Sequence, residues 1–135
     1  MRLLERTFST DAIMAVYTHP AIWEAIGGTD EPFTPPLGSD DHYLKGDGAI
    51  FWLHPEGEDW MIHANVIPEA REHAFEMGQE SIRYGFEVLG ANKLVAEIPK
   101  EFNSVYQFAL KNGFIVDDII DGEYKMVLRY EQWAR

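Results

Sequence analysis

The chain has 135 residues, 46% of them hydrophobic, which suffices for one core but not for two, so we expect a single domain over residues 1–135. Its formal net charge of −12 argues against nucleic-acid phosphate as a partner, and the lack of cysteine excludes disulfides and thiol chemistry. The sequence shows no apolar run of about eighteen residues and no basic, then apolar leader, so we expect a cytoplasmic protein that does not enter a membrane.

The first part of the chain predicts one strand and two short helices. Residues 2–8 can form an opening strand, and Ser9 is an N-cap candidate for a helix over residues 12–17. Pro20 separates this helix from a second one predicted over residues 21–26.

Residues 29–59 are strongly acidic, because eight carboxylates stand against the single cation Lys45. The prolines of residues 29–41 predict a long irregular loop, and Asp47-Gly48 predicts a hairpin between the two strands that follow. Two interpretations of the charge stay open: a solvated surface, and an acidic rim that attracts a cationic amine.

The segment from residue 59 to residue 114 is read as strand, helix, strand, helix. Two different sets of side chains alternate at every second position of residues 59–67, which is the period of a strand. His63 and Asn65 are therefore predicted to lie on the same face. The helix that follows carries an apolar stripe at spacings of three and four, made by Phe75, Gly78, Ile82, Phe86 and Leu89.

Residues 93–98 predict a second buried strand, parallel to the first because a crossover helix connects the two. The last helix is predicted to bury one face, formed by Phe102, Val105, Tyr106, Ala109 and Leu110. A final hairpin is predicted with its turn at Asp121-Gly122. The side chains of its second strand alternate between two faces as far as Tyr130.

Residues 103–114, which end in Gly-Phe, resemble the closing helix of the GCN5-related N-acetyltransferases. Residues 84–90 resemble the end of that family's central helix, and residues 65–71 its passage from strand to helix. In its details the sequence looks most like small acetyltransferase-like proteins of tailed bacteriophages, which would place it in the host cytoplasm. The resemblance implies an α/β (α+β) fold whose mostly antiparallel sheet is splayed between two parallel strands, with helices on both faces.

The resemblance also implies a function: transfer of an acetyl group from acetyl-CoA to a small-molecule or peptide amine, cationic in view of the charge. Coenzyme A would lie in a slot between the parallel strands, near Asn65 and Ala96. The implied cofactor-binding residues are Asn65, Val66, Ile67, Arg71, His73, Ala74 and Asn103. The first three would bind the pantetheine arm, and Arg71 and His73 would donate to the pyrophosphate. Asn103 would contact the pantetheine or cap its helix.

The sequence departs from the family pattern at two positions. Glu72 stands where the family's phosphate-binding loop has its first glycine, and a carboxylate at a helix N-terminus competes with phosphate for the same dipole. Ala109 stands where the family usually has a tyrosine. Both departures favour an alternative function, namely a cofactor-free relative that acts as a binding or virion-associated protein.

His63 and Tyr106 are the candidate catalytic residues. Acetyl transfer to an amine needs a proton acceptor and a proton donor, and in the family these are often a carboxylate or held water on the first strand and a tyrosine on the last helix. His63 lies on that strand and is the candidate acceptor, while Tyr106, one turn from Ala109, is the candidate donor to the thiolate. A hydrogen-bonded structural histidine and a core tyrosine are the competing interpretations.

Other sites have weaker support in the sequence. The five histidines are scattered without an i, i+4 pair, so no metal is expected. Tyr17, Trp23 and Phe33 are candidates for an acceptor pocket, although core positions are the simpler interpretation. The sequence leaves open a homodimer formed through the C-terminal strands.

Overall fold

The computed structural model describes residues 2–25 and 34–135. Within these ranges seven strands form one sheet in the order β1-β2-β3-β4-β5-β7-β6. The strands are β1 (Glu5–Thr7), β2 (His42–Gly46), β3 (Ala49–Glu56), β4 (Asp59–Val66), β5 (Lys93–Pro99), β6 (Ile115–Ile120) and β7 (Glu123–Arg129). The α-helices are α1 (Thr10–Tyr17), α2 (Pro20–Ala25), α3 (Ala74–Arg83), α4 (Asn103–Lys111) and α5 (Tyr130–Trp133).

Two less regular helical segments flank α3. A 3₁₀ helix, Pro68–His73, leads into it, and a π-helical turn, Tyr84–Val88, follows it. Pro68 fits the first position of the 3₁₀ helix because that position needs no N–H donor. Gly90 then takes the left-handed φ of 71° that ends the helical run, as the sequence predicts.

The sheet is antiparallel except between β4 and β5. Tight turns at Gly48 and Gly57, both with positive φ, join β2 to β3 and β3 to β4. Since α3 crosses between β4 and β5, these two strands run in the same direction, which confirms the predicted parallel pair.

The two parallel strands separate soon after they meet. They pair only at Trp60 with Leu94 and at Met61 with Val95. Beyond this point β4 stays paired with β3 up to Val66, and β5 stays paired with β7 up to Pro99. Each strand therefore follows its own antiparallel partner, and a gap opens between them. The predicted splayed sheet is confirmed.

Helices cover both faces of the sheet, also as predicted. On one face α1 packs its buried Ile13 and Val16 against Tyr43 and Ile50 of the sheet. The opposite face carries the larger core, in which α3, the π-helical turn after it and α4 meet the sheet through Met77, Ile82, Phe86, Ala109, Phe51, Leu94 and Met126. None of the helices in residues 2–25 and 34–135 is long and apolar enough to cross a membrane.

Three details of the predicted elements are wrong. The opening strand covers only Glu5–Thr7, and Tyr130 begins α5 rather than ending β7. The predicted apolar face of α4 is only partly buried, because Val105 and Leu110 are each 39% exposed. The predicted end of the second helix at residue 26 and the aromatic residue Phe33 lie outside the described residues.

Candidate active site

A cavity of about 540 Å³ lies at the gap between β4 and β5. Residues from both faces of the sheet line it, because the gap interrupts the sheet there. On the side of α3 and α4 the lining includes Gly78, Ser81, Val105, Phe108, Ala109 and Asn112. On the side of α1 and α2 it includes Tyr17, Trp23, Trp52, His63 and Asn65. The cavity therefore connects the two sides of the sheet.

The register of β3 and β4 decides which main-chain groups face the gap. Gly57 and Glu58 form a two-residue turn that makes Glu56 and Asp59 a hydrogen-bonded pair, so every second residue from Asp59 bonds back to β3. The intervening residues of β4, which include Ala64 and Val66, direct their main-chain N–H and C=O groups toward the gap. These groups can bind an extended chain that carries amides.

The predicted pantetheine contacts are only partly consistent with this register. The main chain of Asn65 pairs with Ile50, so only its side chain reaches the cavity. Ile67 uses both main-chain groups, because its N–H donates to Gly48 O at 2.9 Å and its C=O accepts from Ala70 N at 3.0 Å. Val66 is the predicted residue whose main chain faces the gap. The alternation also identifies Ala64, which the sequence analysis did not single out.

His63 lies inside the cavity in a stack of rings. Trp52, directly opposite on β3, stacks on it with ring centroids 4.8 Å apart. His54 lies beside it, with ring centroids 5.1 Å and Nε2 atoms 2.9 Å apart, and the Trp52 ring also contacts the His54 ring at 4.5 Å. Burial, and next the neighbouring His54, lower the pKa of His63 from 6.5 to about 4. His63 is consequently neutral at pH 7 and has a nitrogen lone pair available.

Asn65 and Tyr17 form a polar pair next to His63. The Asn65 amide Nδ2 donates to the Tyr17 hydroxyl at 3.4 Å. Burial raises the pKa of Tyr17 to about 12, against a smaller opposite effect of this hydrogen bond. Tyr17 is therefore an un-ionised phenol at neutral pH. Both Tyr17 and Trp23 line the cavity, and Tyr17 is at the same time a buried residue of the core beneath α1, as the simpler interpretation predicts.

Asn112 brings an unsatisfied polar atom to the other side of the cavity. Its Nδ2 donates to Phe108 O at 3.0 Å, whereas its buried Oδ1 accepts no hydrogen bond within the described residues. Ser81, also in the lining, bonds the Gly78 carbonyl at 2.7 Å and is satisfied. A buried carbonyl oxygen without a donor is costly, so this position suits a ligand with an N–H group.

The predicted phosphate-binding residues stand at the start of α3, outside the cavity lining. Arg71, Glu72 and His73 are exposed in the 3₁₀ helix, and Ala74 begins α3. Within the described residues Asp121 is the only non-glycine residue with positive φ, so Glu72 adopts right-handed dihedrals without strain. A glycine is not needed here for conformational reasons.

Four further predicted residues also lie outside the cavity lining, namely Val66, Ile67, Asn103 and Tyr106. Tyr106 stacks on Tyr124 of β7, with ring centroids 4.6 Å apart. Asn103 is the first residue of α4, and Phe102 occupies the cap position, so the interpretation of Asn103 as the helix cap is wrong. Ala109 does line the cavity, so the position where the family usually carries a tyrosine faces the site.

Charged groups are sparse in the part of the lining that residues 2–25 and 34–135 form. None of the described carboxylates of residues 34–59 belongs to it, whereas Glu97 on β5 does. Asp41 instead accepts the Trp52 Nε1–H at 3.0 Å, and Asp59 pairs with Lys93 at 3.4 Å. Over residues 2–25 and 34–135, no three His, Asp or Glu side chains form a group that could hold a metal ion.

No protein-family model and no curated protein matches this sequence. Several solved structures do match the fold. Spermidine N-acetyltransferase from Vibrio cholerae, in complex with CoA and spermine, has a TM-score of 0.77 at 12% identity, over 98% of this chain and 97% of the other. A GNAT-family acetyltransferase from Bacillus anthracis has a TM-score of 0.74 at 18% identity, over 96% of both chains.

The chain has the GNAT acetyltransferase fold. A third match is the N-acetyltransferase PseH from Campylobacter jejuni, in complex with acetyl coenzyme A, with a TM-score of 0.69 at 15% identity, over 95% of this chain and 99% of the other. Identities this low establish the architecture of the GNAT fold for this chain. Its chemistry has to be argued from its own residues.

The sequence analysis missed five residues of the site, namely Trp52, His54, Ala64, Glu97 and Asn112. A local signal existed for the first two: a two-residue turn at Gly57 and Glu58 sets a register that places Trp52 opposite His63 and His54 on the same face. The period of β5 places Glu97 on the face of Val95, opposite the larger core. Asn112 carried no signal, since its environment depends on how α4 meets α3.

Proposed function

We propose that this protein transfers an acetyl group from acetyl-CoA to a primary amine. The observation that carries the proposal is the gap between β4 and β5, which opens into a cavity lined from both faces of the sheet. This arrangement lets a thioester approach from the side of α3 and α4 while an amine approaches from the side of α1 and α2. The acetyl carbonyl would then lie in the gap, next to His63.

The residues at the gap fit the pantetheine arm of coenzyme A. That arm carries two amides, which need both donors and acceptors. The main-chain groups of Ala64 and Val66 supply both, and the unsatisfied Oδ1 of Asn112 supplies a buried acceptor. At the phosphate end we assign Arg71 and His73 to the pyrophosphate, beside Ala74 at the start of α3.

His63 is the proposed proton acceptor. When the amine nitrogen adds to the thioester carbonyl it becomes a strongly acidic ammonium, so even a weakly basic imidazole can take its proton. Neutral His63 at pH 7 is ready for this role. The proton leaves nitrogen as the amide forms, and the thiolate departs as the carbon–sulfur bond breaks.

Tyr106 is the proposed proton donor to the departing thiolate. Tyr106 stacks on Tyr124 and reaches the cavity only if α4 shifts along its axis, and Ala109 stands at the position that faces the site. The role of Tyr106 stays a prediction, which Tyr106→Phe tests: a drop in kcat of at least about tenfold supports it, and an unchanged kcat assigns thiolate protonation to water.

The acceptor amine is proposed to carry an apolar or aromatic body. Tyr17, Trp23 and Trp52 give the acceptor side of the cavity an aromatic lining, and Glu97 provides a carboxylate. Aromatic faces attract cations as well as apolar groups, and the net charge of −12 raises the local concentration of cations. Two amines test the choice: 2-phenylethylamine has an aromatic body, and spermine is a linear polycation.

Calorimetry with acetyl-CoA is the first experiment. Binding at micromolar to high micromolar concentration supports the proposal, and thiol release on adding either amine establishes the reaction. Absence of binding at high micromolar acetyl-CoA overturns it. The two departures, Glu72 and Ala109, would then favour a cofactor-free binding or virion-associated protein. Glu72→Gly separates these cases further, because it restores binding only if the carboxylate repels the phosphates.

A further inference from the structure

His54 and His63 form a hydrogen-bonded pair that extends from the cavity toward solvent. Their Nε2 atoms are 2.9 Å apart and their rings are nearly parallel, at 15°. His63 lines the cavity, whereas His54 is outside the lining, near the end of β3. The pair is held on one face of the sheet by the register that sets Trp52 opposite His63 and His54 opposite Met61.

The hydrogen bonds of His54 determine where the protons of the pair lie. Its Nδ1 is 3.2 Å from the Pro55 carbonyl oxygen. A carbonyl oxygen only accepts, so Nδ1 of His54 must carry a hydrogen, and in the neutral ring its Nε2 then presents a lone pair. The hydrogen between the two rings therefore belongs to Nε2 of His63. This leaves Nδ1 of His63 as the nitrogen that can accept a further proton.

We propose that His54 is a positioning residue that carries the reaction proton away from His63 to solvent. This inference rests on the proposed acetyl transfer. As the amide forms, Nδ1 of His63 takes the proton from the amine nitrogen. The Nε2 hydrogen of His63 then passes to Nε2 of His54, and His54 releases one proton to water. His63 regains a neutral ring with the hydrogen on Nδ1, and rotation or exchange restores the starting tautomer.

The relay explains how a buried histidine can serve as a base. Desolvation makes a charged His63 costly, and the pKa of about 4 expresses this cost. Sharing the proton with a ring nearer the surface spreads the charge toward water. Among the described residues, the titratable groups near His63 other than His54 are Tyr17 of α1, Tyr43 of β2 behind Trp52, Asp41 on Trp52 Nε1, and Glu97 of β5.

Nitrogen-15 NMR of the histidine rings is the decisive experiment, because it needs no acceptor amine. At neutral pH we expect His63 to carry its hydrogen on Nε2 and His54 on Nδ1, and we expect His63 to stay uncharged on acidification to pH 5. A hydrogen on Nδ1 of His63 at neutral pH, or a charged His63 above pH 5, overturns the relay. Single His54→Gln and His63→Gln variants assign the signals.

Kinetics of two matched variants separate a relay from simple orientation. His54→Gln keeps an oxygen that accepts from His63 but cannot carry a proton, and His54→Phe keeps only the stacked ring. With acetyl-CoA and 2-phenylethylamine or spermine, we expect both to lower kcat at least about tenfold, with an unchanged KM for acetyl-CoA and partial rescue by added imidazole. Wild-type kcat in His54→Gln overturns the relay alone. Failure of the wild-type protein to bind acetyl-CoA overturns the proposed function, and the relay with it.

Discussion

Trp52 lies directly opposite His63 across β3 and β4, and the two rings stack with their planes 22° apart. The indole covers one face of the imidazole, and its Nε1–H is fixed by Asp41 at 3.0 Å. Tyr43 stacks on the other face of Trp52, with planes 8° apart. The cavity histidine is thus supported by an aromatic column that crosses three strands, so its orientation is set before any substrate binds.

The first prediction concerns pH and stability. The folded-state pKa of His63, about 4, lies below the ordinary value of 6.5, so between these values the unfolded chain binds more protons than the folded one. Stability should therefore fall as pH drops from about 6.5 to about 4, and the maximum effect is roughly 3 kcal/mol. Urea denaturation should show that the free energy of unfolding falls between pH 7.0 and pH 4.5 by about 2 kcal/mol more in the wild-type protein than in His63→Gln. Equal losses would contradict the assigned burial.

The second prediction concerns the gap. Ala96 lines the cavity on β5 and faces the larger core, so Ala96→Phe places a ring in the cavity on the side of α3 and α4. Calorimetry should show at least about tenfold weaker acetyl-CoA binding, because the ring occupies the space of the pantetheine arm. Ala134→Phe, at an exposed position after α5, is the matched control and should bind normally. Normal binding by Ala96→Phe would place the cofactor elsewhere.

The third prediction compares two turn glycines. Gly48 and Gly57 have similar φ values, 69° and 63°, so an alanine at either position has the same left-handed strain of about 1 kcal/mol. A Cβ on Gly48 would lie 2.6 Å from the Ala70 Cβ, whereas one on Gly57 meets nothing within 4 Å. Chemical denaturation should show Gly48→Ala to be less stable than Gly57→Ala by about 1–3 kcal/mol. Equal costs would mean that the 3₁₀ helix moves away freely.

The fourth prediction concerns Asn112. Asn112→Leu removes a buried oxygen without a donor and keeps the shape of the side chain, so the free protein should gain about 1 kcal/mol in its free energy of unfolding. Acetyl-CoA should bind several-fold more weakly, since the variant loses an acceptor in the cavity. Gln107→Leu, at an exposed position of the same helix, controls for the added hydrophobicity. Unchanged affinity in Asn112→Leu would remove Asn112 from the binding site.

Much of the fold was predictable because its signals are local. The alternation of residues 59–67, the turn at Asp47-Gly48 and the helix-ending Gly90 and Gly113 each act over a few residues, and each appears in the structure as expected. Tyr130 was misassigned for the same reason. It continues the alternation of β7, but its N–H donates to Asn92 O, and the chain turns there into α5.

The site was less predictable. His63 and Asn65 could be placed on one face of β4 from their spacing, and both line the cavity. The predicted residues Arg71, His73, Asn103 and Tyr106 depended on the family resemblance, and all lie outside the cavity lining. A spacing pattern gives the face of an element, whereas it gives no distance to another element.

The sequence by itself determined the elements, their order and the parallel pair of strands. The signals for them are the hydrophobic period, the turn residues and the crossover helix, and each of these depends only on residues close together in the sequence. Only the tertiary structure decided how far β4 and β5 diverge, that His54 bonds His63, and that Asn112 Oδ1 is buried without a donor. These features depend on strand register and on the packing of α4 beside Gly78 of α3, where segments distant in sequence must fit together in a closely packed interior.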